Sequence, residues 1–377
     1  MIKDKIVCPY RVCPLGAHSD HQLGIISGFA IDKGIEIEYA RTDNGTINLK
    51  SNEFQGSLSF PPNKTIEKAG DWADYLRGAT VALRRKYDIS YGIDAHIRGS
   101  LPIGGLSSSA AVILAFLGAL CRVNNIVLSK RELVETALWA EREFVGVSVG
   151  KLDQSCEVYS KKDHLLCLDT KDDSYELIPI SPNMPPFEIA IFFSGIERSL
   201  VGTKFNMRVD EMKSAAYALM AFSGMEYGKF SEAILRNVPY SVFENYKHLL
   251  PENWRKRATH FYTEFDRVKK GAELFKKGDL EGFGKLIFES GESSIYSYET
   301  GSTQLKKIHE ILLETEGVYG GRFSGAGFKG CCMALVNPEY KEKIEAEVTE
   351  KYLKEFPELA GKFGVYFAKT ADGIKLN

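Results

Sequence analysis

The chain has 377 residues, a formal net charge of −2, 44% hydrophobic and 26% charged residues. Its length exceeds one ordinary core and predicts two domains, and the near-neutral balance leaves no basic footprint for nucleic acid or an anionic membrane. Met1-Ile-Lys-Asp-Lys-Ile-Val has no apolar signal region and the run Ala110 to Cys121 is too short to span a bilayer, so a cytoplasmic protein is expected.

In chain order, Pro9-Tyr-Arg11-Val-Cys-Pro-Leu-Gly-Ala17-His18-Ser19-Asp20-His-Gln-Leu-Gly24 crowds an arginine, two imidazoles and an acid between turn residues. It reads either as a solvated loop or as a contact surface for a polar ligand. No third imidazole lies near His18 and His21, which weighs against a transition-metal site. Alternation predicts strands at Ile35-Glu-Ile-Glu-Tyr, Thr46-Ile-Asn-Leu and Ser57-Leu-Ser-Phe, with turn signals at Asp43-Asn-Gly and Pro61-Pro-Asn. Helices are predicted from Asp71 to Tyr87, Ser109 to Asn124 and Ser129 to Phe144, the last opened by the capping box Ser129-Lys-Arg-Glu132.

Before the second helix stands Leu101-Pro-Ile103-Gly104-Gly105-Leu106-Ser107-Ser108-Ser109-Ala110. Glycines let backbone approach a ligand, serines add hydroxyls, and the amides of a helix N-terminus favour an anion, so the segment reads as a phosphate cradle or as an ordinary serine-capped helix start. On the next helix Val134, Ala137, Leu138 and Glu141 share one face, which puts the Glu141 carboxylate on the apolar stripe. A salt bridge would satisfy it there, and so would a Mg²⁺ shared with a serine and phosphates. In Val149-Gly150-Lys-Leu-Asp153-Gln, Asp153 is either a helix cap or a general base.

Pro182-Asn-Met-Pro-Pro186 reads as a hinge that divides the chain into domains 1–183 and 184–377. The second domain shows a strand Glu188 to Phe193, charged helices from about Asn206 to Phe288, a helix near Gln304 to Glu314, and an apolar strand Cys331 to Val336. Gly320-Gly-Arg-Phe-Ser-Gly325-Ala-Gly327-Phe-Lys-Gly330 leads into that strand and reads as a tight hairpin or as backbone closing over phosphates. Seven cysteines without C-x-x-C spacing are expected to be reduced core thiols. Gly282-Phe-Gly-Lys285 fails the Walker A pattern at Asp279 and Leu286, and there is no protein-kinase signature.

Taken together, these segments resemble the three motifs of the GHMP small-molecule kinases, in the order of the galactokinase branch. Tyr10-Arg-Val-Cys-Pro-Leu-Gly-Ala-His-Ser-Asp-His21 is similar to the galactokinase signature Gly-Arg-Val-Asn-Leu-Ile-Gly-Glu-His-Thr-Asp-Tyr; Gly105-Leu-Ser-Ser-Ser-Ala110 and Ser324-Gly-Ala-Gly-Phe-Lys-Gly330 resemble motifs two and three. The resemblance implies an α/β (α+β) fold of two domains, the first with a left-handed βαβ unit and the second α+β, with the active site between them. It implies ATP and Mg²⁺, with Asp153 as catalytic base, Arg11 holding that base ionised and stabilising transition-state charge, and Ser109 with Glu141 as metal ligands. It places Ile103, Gly104, Gly105, Leu106, Ser107, Ser108, Ser109, Gly325 and Gly327 around ATP. Ala17, His18, Ser19, Asp20, Gly150, Asp153, Lys204 and Phe205 are placed around the sugar.

Two departures bear on the substrate. Galactokinases carry Glu where this chain has Ala17, and that Glu accepts a hydrogen bond from the sugar's C6 hydroxyl; a C6 carboxylate would be repelled by Glu, at roughly 4 kcal/mol for charges about 4 Å apart, but tolerated beside Ala. Phe205 stands where a sugar-contacting Tyr is usual. The stretch around Ala17 is similar to the galacturonokinase motif Ser-Pro-Tyr-Arg-Ile-Cys-Pro-Leu-Gly-Ala-His, as is Gly317 to Cys332 to that subfamily. The expected reaction is therefore ATP-dependent phosphorylation of the C1 hydroxyl of D-galacturonate, a small-molecule sugar acid. The alternatives are a galactokinase acting on galactose or a related sugar, and a non-catalytic galactokinase-like sugar sensor. Arg198, Lys204, Arg208 and Lys151 are candidates to meet the carboxylate, Lys204 first among them.

Overall fold

The computed structural model describes residues 4–196, 203–328 and 330–376. β1 (Asp4–Val12) runs antiparallel to β2 (Ile25–Thr42), and the register shifts between Pro9 and Tyr10, where proline has no N–H for the ladder. β2 is 18 residues long and is the hub of an eight-stranded sheet. The alternating stretch Ile35 to Tyr39 is therefore only the middle of a longer strand, whose glycines at 28 and 34 hide its extent from a pattern reading.

Beside β2 on one side stand β3 (Ile47–Ser51), β4 (Ser57–Phe60) and β5 (Gly92–Gly99), with β3 parallel to β5 through a crossover containing α1 (Asp74–Arg84). That helix starts later than expected because Asp71 stays outside it, accepting from the Ala73 amide and the Arg77 guanidinium. α2 (Ser108–Val123) is apolar nearly all round and packs on β1 and β2. α3 (Lys130–Trp139) keeps the expected capping box but ends early: Ala140–Val145 continues as a wider π-helical turn, with the amides of Gly146 and Val147 both donating to Glu141 O. α4 (Leu152–Tyr159), β6 (His164–Asp169) and β7 (Tyr175–Pro179) complete this half, β6 pairing with Ile25 to Gly28 of β2.

The second sheet is built from β8 (Glu188–Phe193), β9 (Val318–Phe323), β10 (Cys331–Val336) and β11 (Gly364–Ala368), in the order β11-β8-β10-β9. Its two central strands show why a continuous apolar run is needed there. Ile189, Ile191, Phe193, Cys331, Met333 and Leu335 face the large core shared with the first sheet, while Ala190, Phe192, Cys332, Ala334 and Val336 face a second cluster. The helices of this half are α5 (Thr203–Phe222), α6 (Tyr240–Tyr246), α7 (Glu252–Lys277), α8 (Leu280–Tyr296), α9 (Thr303–Glu314) and α10 (Lys341–Glu355). After β11 the chain returns to the first sheet, where β12 (Thr370–Ala371) pairs with Ile31 and Ala30. All seven thiols are unpaired and six are buried.

Candidate active site

The two glycine-rich turns meet backbone to backbone. A Cβ on Gly105 would lie 2.7 Å from Cys331 Sγ and 3.0 Å from Ser324 O, and one on Gly325 would lie 2.9 Å from Gly105 Cα; both residues have positive φ, 81° and 70°. Gly325 and Gly330, at the two ends of the connection between β9 and β10, thus close on the 104–109 turn. Ser107 precedes α2 in the left-handed region (φ 62°) and does not cap the helix. Its hydroxyl is buried without a partner, and Ser108 and Ser109 open the first turn, where amides have no helical acceptor. An ordinary serine cap is excluded by this geometry. Gly104 and Ile103 lead into the turn, whereas the Leu106 side chain belongs to the core. Gly327 packs against Thr300 of the α8–α9 connection; Lys329 lies outside the described residues.

Arg11, on β1 and 2% exposed, ties these turns to α4. Its Nε and Nη2 donate to Asp153 Oδ1 at 2.9 and 2.7 Å, and its Nη1 donates to Gly105 O at 3.2 Å and Ser324 Oγ at 3.3 Å. Burial pulls the Arg11 pKa down, but the Asp153 carboxylate more than reverses this and the net shift is upward. Asp153 is the second residue of α4, with its side chain 24% exposed, and it does not cap the helix. Asp20 does: its Oδ2 accepts from the Leu152 amide at 3.0 Å. Burial pushes the Asp20 pKa up, the Leu152 N–H draws it down, and Asp153 adds to the rise. Gly150 must lack a side chain, since a Cβ there would lie 2.0 Å from Asp20 Oδ2.

The 13–24 loop is braced by α7, which sequence reasoning missed. Glu264 Oε2 accepts from the Gly16 amide at 2.8 Å, and one turn earlier His260 Nε2 donates to Ala17 O at 3.0 Å while its Nδ1 accepts from Ser293 Oγ at 2.8 Å. Burial raises the Glu264 pKa, but Arg267, Arg322 and His260 outweigh it and the carboxyl stays below its ordinary range. His18 stacks on Tyr298 with ring centroids 4.3 Å apart, and its Nε2 is buried without a partner. His21 Nε2 lies 3.4 Å from the Tyr298 hydroxyl, and Phe205 stands edge-on to His21 at 6.0 Å. Burial holds all three imidazoles neutral, His21 at about 3, His260 at about 4 and His18 well below its ordinary value. Ser19 turns inward, its hydroxyl donating to Gly16 O at 2.7 Å.

Glu141 is buried on the π-helical turn and accepts from Gln154 Nε2. Among the expected carboxylate partners, Arg208 is held by Glu211 at 3.0 Å and Lys151 by Asp173 at 2.5 Å. Arg198 and the Lys204 side chain lie outside the described residues.

The chain matches the GHMP kinases N terminal domain over residues 74–161 and the GHMP kinases C terminal domain over residues 272–354. It is 39% identical to galacturonokinase of Arabidopsis thaliana, over 94% of this chain and 88% of that one. It is 32% identical to galactokinase of Thermococcus kodakarensis, over 94% and 95%. The crystal structure of Lactococcus lactis galactokinase complexed with galactose has a TM-score of 0.89 at 26% identity, covering 100% of this chain and 95% of that one. A mevalonate kinase shares the fold, with a TM-score of 0.67 at 19% identity over 98% and 99%. Identity of this order over nearly the whole length, with both domain matches in sequence, assigns the chain to the GHMP kinases, as a sugar 1-kinase of the galactokinase and galacturonokinase type.

Proposed function

We propose that this sugar kinase transfers the γ-phosphoryl group of ATP to the C1 hydroxyl of D-galacturonate, in the cleft between domains 1–183 and 184–377. The observation that carries the reading is the single guanidinium of Arg11, bonded at once to Asp153, to the 104–109 turn and to the 324–330 turn. Phosphoryl transfer is mostly positioning and charge neutralisation, and Arg11 fixes a carboxylate relative to both glycine-rich turns. Asp153 takes the C1 proton as that oxygen forms its bond to the γ-phosphorus and the bond to the leaving ADP oxygen breaks. The amides and hydroxyls of Gly104 to Ser109, with Gly325 and Gly327, receive the phosphates.

Ser109 and Glu141 would hold Mg²⁺. The fit is chemical: both offer hard oxygen donors, and the orphaned Ser107 hydroxyl beside Ser109 marks a polar position awaiting a partner. Held there, the ion would supply neutralisation of phosphate charge. We assign His18, Asp20, Gly150 and Phe205 to the sugar, with Ala17 facing C6, and Ser19, whose hydroxyl donates to Gly16 O, to holding the loop.

Galacturonate is favoured over galactose by Ala17 and by the higher identity to the Arabidopsis galacturonokinase than to the Thermococcus galactokinase. The galactose-bound Lactococcus structure supports galactose as the second reading. We place the enzyme in the cytoplasm, a reading supported by its seven unpaired thiols. The test is ATP consumption with galacturonate, glucuronate, galactose and galactosamine in parallel. Galacturonate is expected to give the highest kcat/KM, and a preference for galactose would overturn the substrate assignment while leaving the kinase chemistry intact.

A further inference from the structure

A sugar acid brings a negative charge into the cleft, and most described cations near the 13–24 loop are already committed. Arg11 is held by Asp153, Arg208 by Glu211, Lys151 by Asp173 and Arg267 by Glu264. Arg322 is fully buried and spends its guanidinium on Ser290, Ser294 and Phe323 O. The neighbouring imidazoles are neutral.

Arg142 is differently placed. It follows Glu141 in the π-helical turn Ala140–Val145, and that turn keeps Glu141 buried while Arg142 is exposed. Its Nε donates to Val149 O at 2.5 Å, which bends the guanidinium back over the turn leading to Gly150 and Asp153. Its two terminal nitrogens have no hydrogen-bond or ion-pair partner among the described residues. The charges and rings that feel it are those of Asp20 and His21 on the 13–24 loop, and of Glu141 and Glu143 on its own turn. The same turn is tied to α5, beside Phe205, by the Ser148 amide donating to Asn206 Oδ1 at 3.2 Å. Arg142 therefore sits on the turn that leads to Gly150 and Asp153, within charge range of Asp20 and His21, and that turn is tied to α5 beside Phe205.

We infer that Arg142 is the specificity-determining cation of this kinase, its two unpartnered Nη groups pairing with the carboxylate of the sugar acid. The inference rests on the galacturonate reading above. A guanidinium fork matches a planar carboxylate in two parallel hydrogen bonds. A neutral hydroxymethyl group offers one oxygen and no charge, so the contact discriminates between the two sugars as well as binding one of them.

The experiment measures kcat/KM for galacturonate and galactose in the wild type, Arg142→Gln, Arg142→Lys and Lys204→Gln. In Arg142→Gln the galacturonate-to-galactose ratio is expected to fall at least tenfold, through the galacturonate KM. Arg142→Lys, which keeps the charge without the fork, should recover part of that loss, and calorimetric binding of galacturonate should weaken in the same order. An unmoved ratio in a wild type that prefers galacturonate overturns the assignment of Arg142 alone. So does a KM for ATP that rises as much as that for galacturonate, or a ratio that collapses in Lys204→Gln but not in Arg142→Gln. A wild type that prefers galactose overturns the substrate reading, and this inference with it.

Discussion

Glu157 lies one turn beyond Asp153 on α4, is 0% exposed, and has no partner at either carboxyl oxygen. Burial pushes its pKa well above the ordinary value, Asp153 and Glu141 add to the rise, and Arg11 opposes it. The carboxyl therefore enters the fold protonated. An unfolded chain releases that proton above about pH 4.3, so the stability associated with Glu157 is full below that pH. It is lost as pH rises toward the folded-state pKa, at about 1.4 kcal/mol per pH unit. A buried polar group without a partner costs about 1–3 kcal/mol, and leucine, of similar size, removes both oxygens. Glu157→Leu should therefore be more stable than the wild type by about 1–3 kcal/mol at pH 5, with the gap widening toward pH 8 by up to about 1.4 kcal/mol per pH unit. Urea unfolding at pH 5, 6.5 and 8, on both proteins, measures it. A leucine variant less stable at pH 8, or a gap that ignores pH, would refute the reasoning, because either result means the wild-type carboxylate is ionised and satisfied.

Asp153→Asn should bind ATP with wild-type affinity yet lose about 10²- to 10⁴-fold in turnover, since the amide cannot accept the C1 proton; calorimetry and single-turnover kinetics separate the two effects. Glu141→Gln should shift the Mg²⁺ titration of activity to higher concentration, and an unchanged titration would return Glu141 to a purely structural role. Ala17→Glu introduces a charge next to a carbonyl held by His260; if Ala17 faces C6, the galacturonate-to-galactose ratio in kcat/KM should drop by roughly tenfold or more through like-charge repulsion.

The three glycine- and hydroxyl-rich segments were legible in the sequence because their composition makes poor sense without a ligand or a close backbone approach. Arg11 and Asp153 are 142 positions apart, and only the resemblance to a known family joined them. The brace from α7 was hidden for a physical reason: His260 and Glu264 are spaced i, i+4 on a strongly charged helix, a pattern that usually marks a solvated face, yet both are buried. The π-helical turn after Trp139 left no sequence signal, because capping and periodicity describe an α-helix and say nothing of one wider turn inserted at its end. Glu188 to Phe193 and Cys331 to Val336 were readable as strands since burial on both faces demands an unbroken apolar run.

The return of the chain to its first sheet sets an order of events during synthesis. The Asp32 amide donates to Lys369 O, the Ile374 amide to Glu157 O and the Arg122 guanidinium to Leu376 O. The first half of the chain is thus completed by residues 369–376, which are synthesised long after it. Until residues 369–376 emerge, Ala30 and Ile31 present an unpaired strand edge, the kind of surface that recruits other chains. The helix carrying Asp153 shares that wait, since its neighbour Glu157 is one of the groups that residues 369–376 close over, so catalytic competence is expected only once those residues have joined the first sheet.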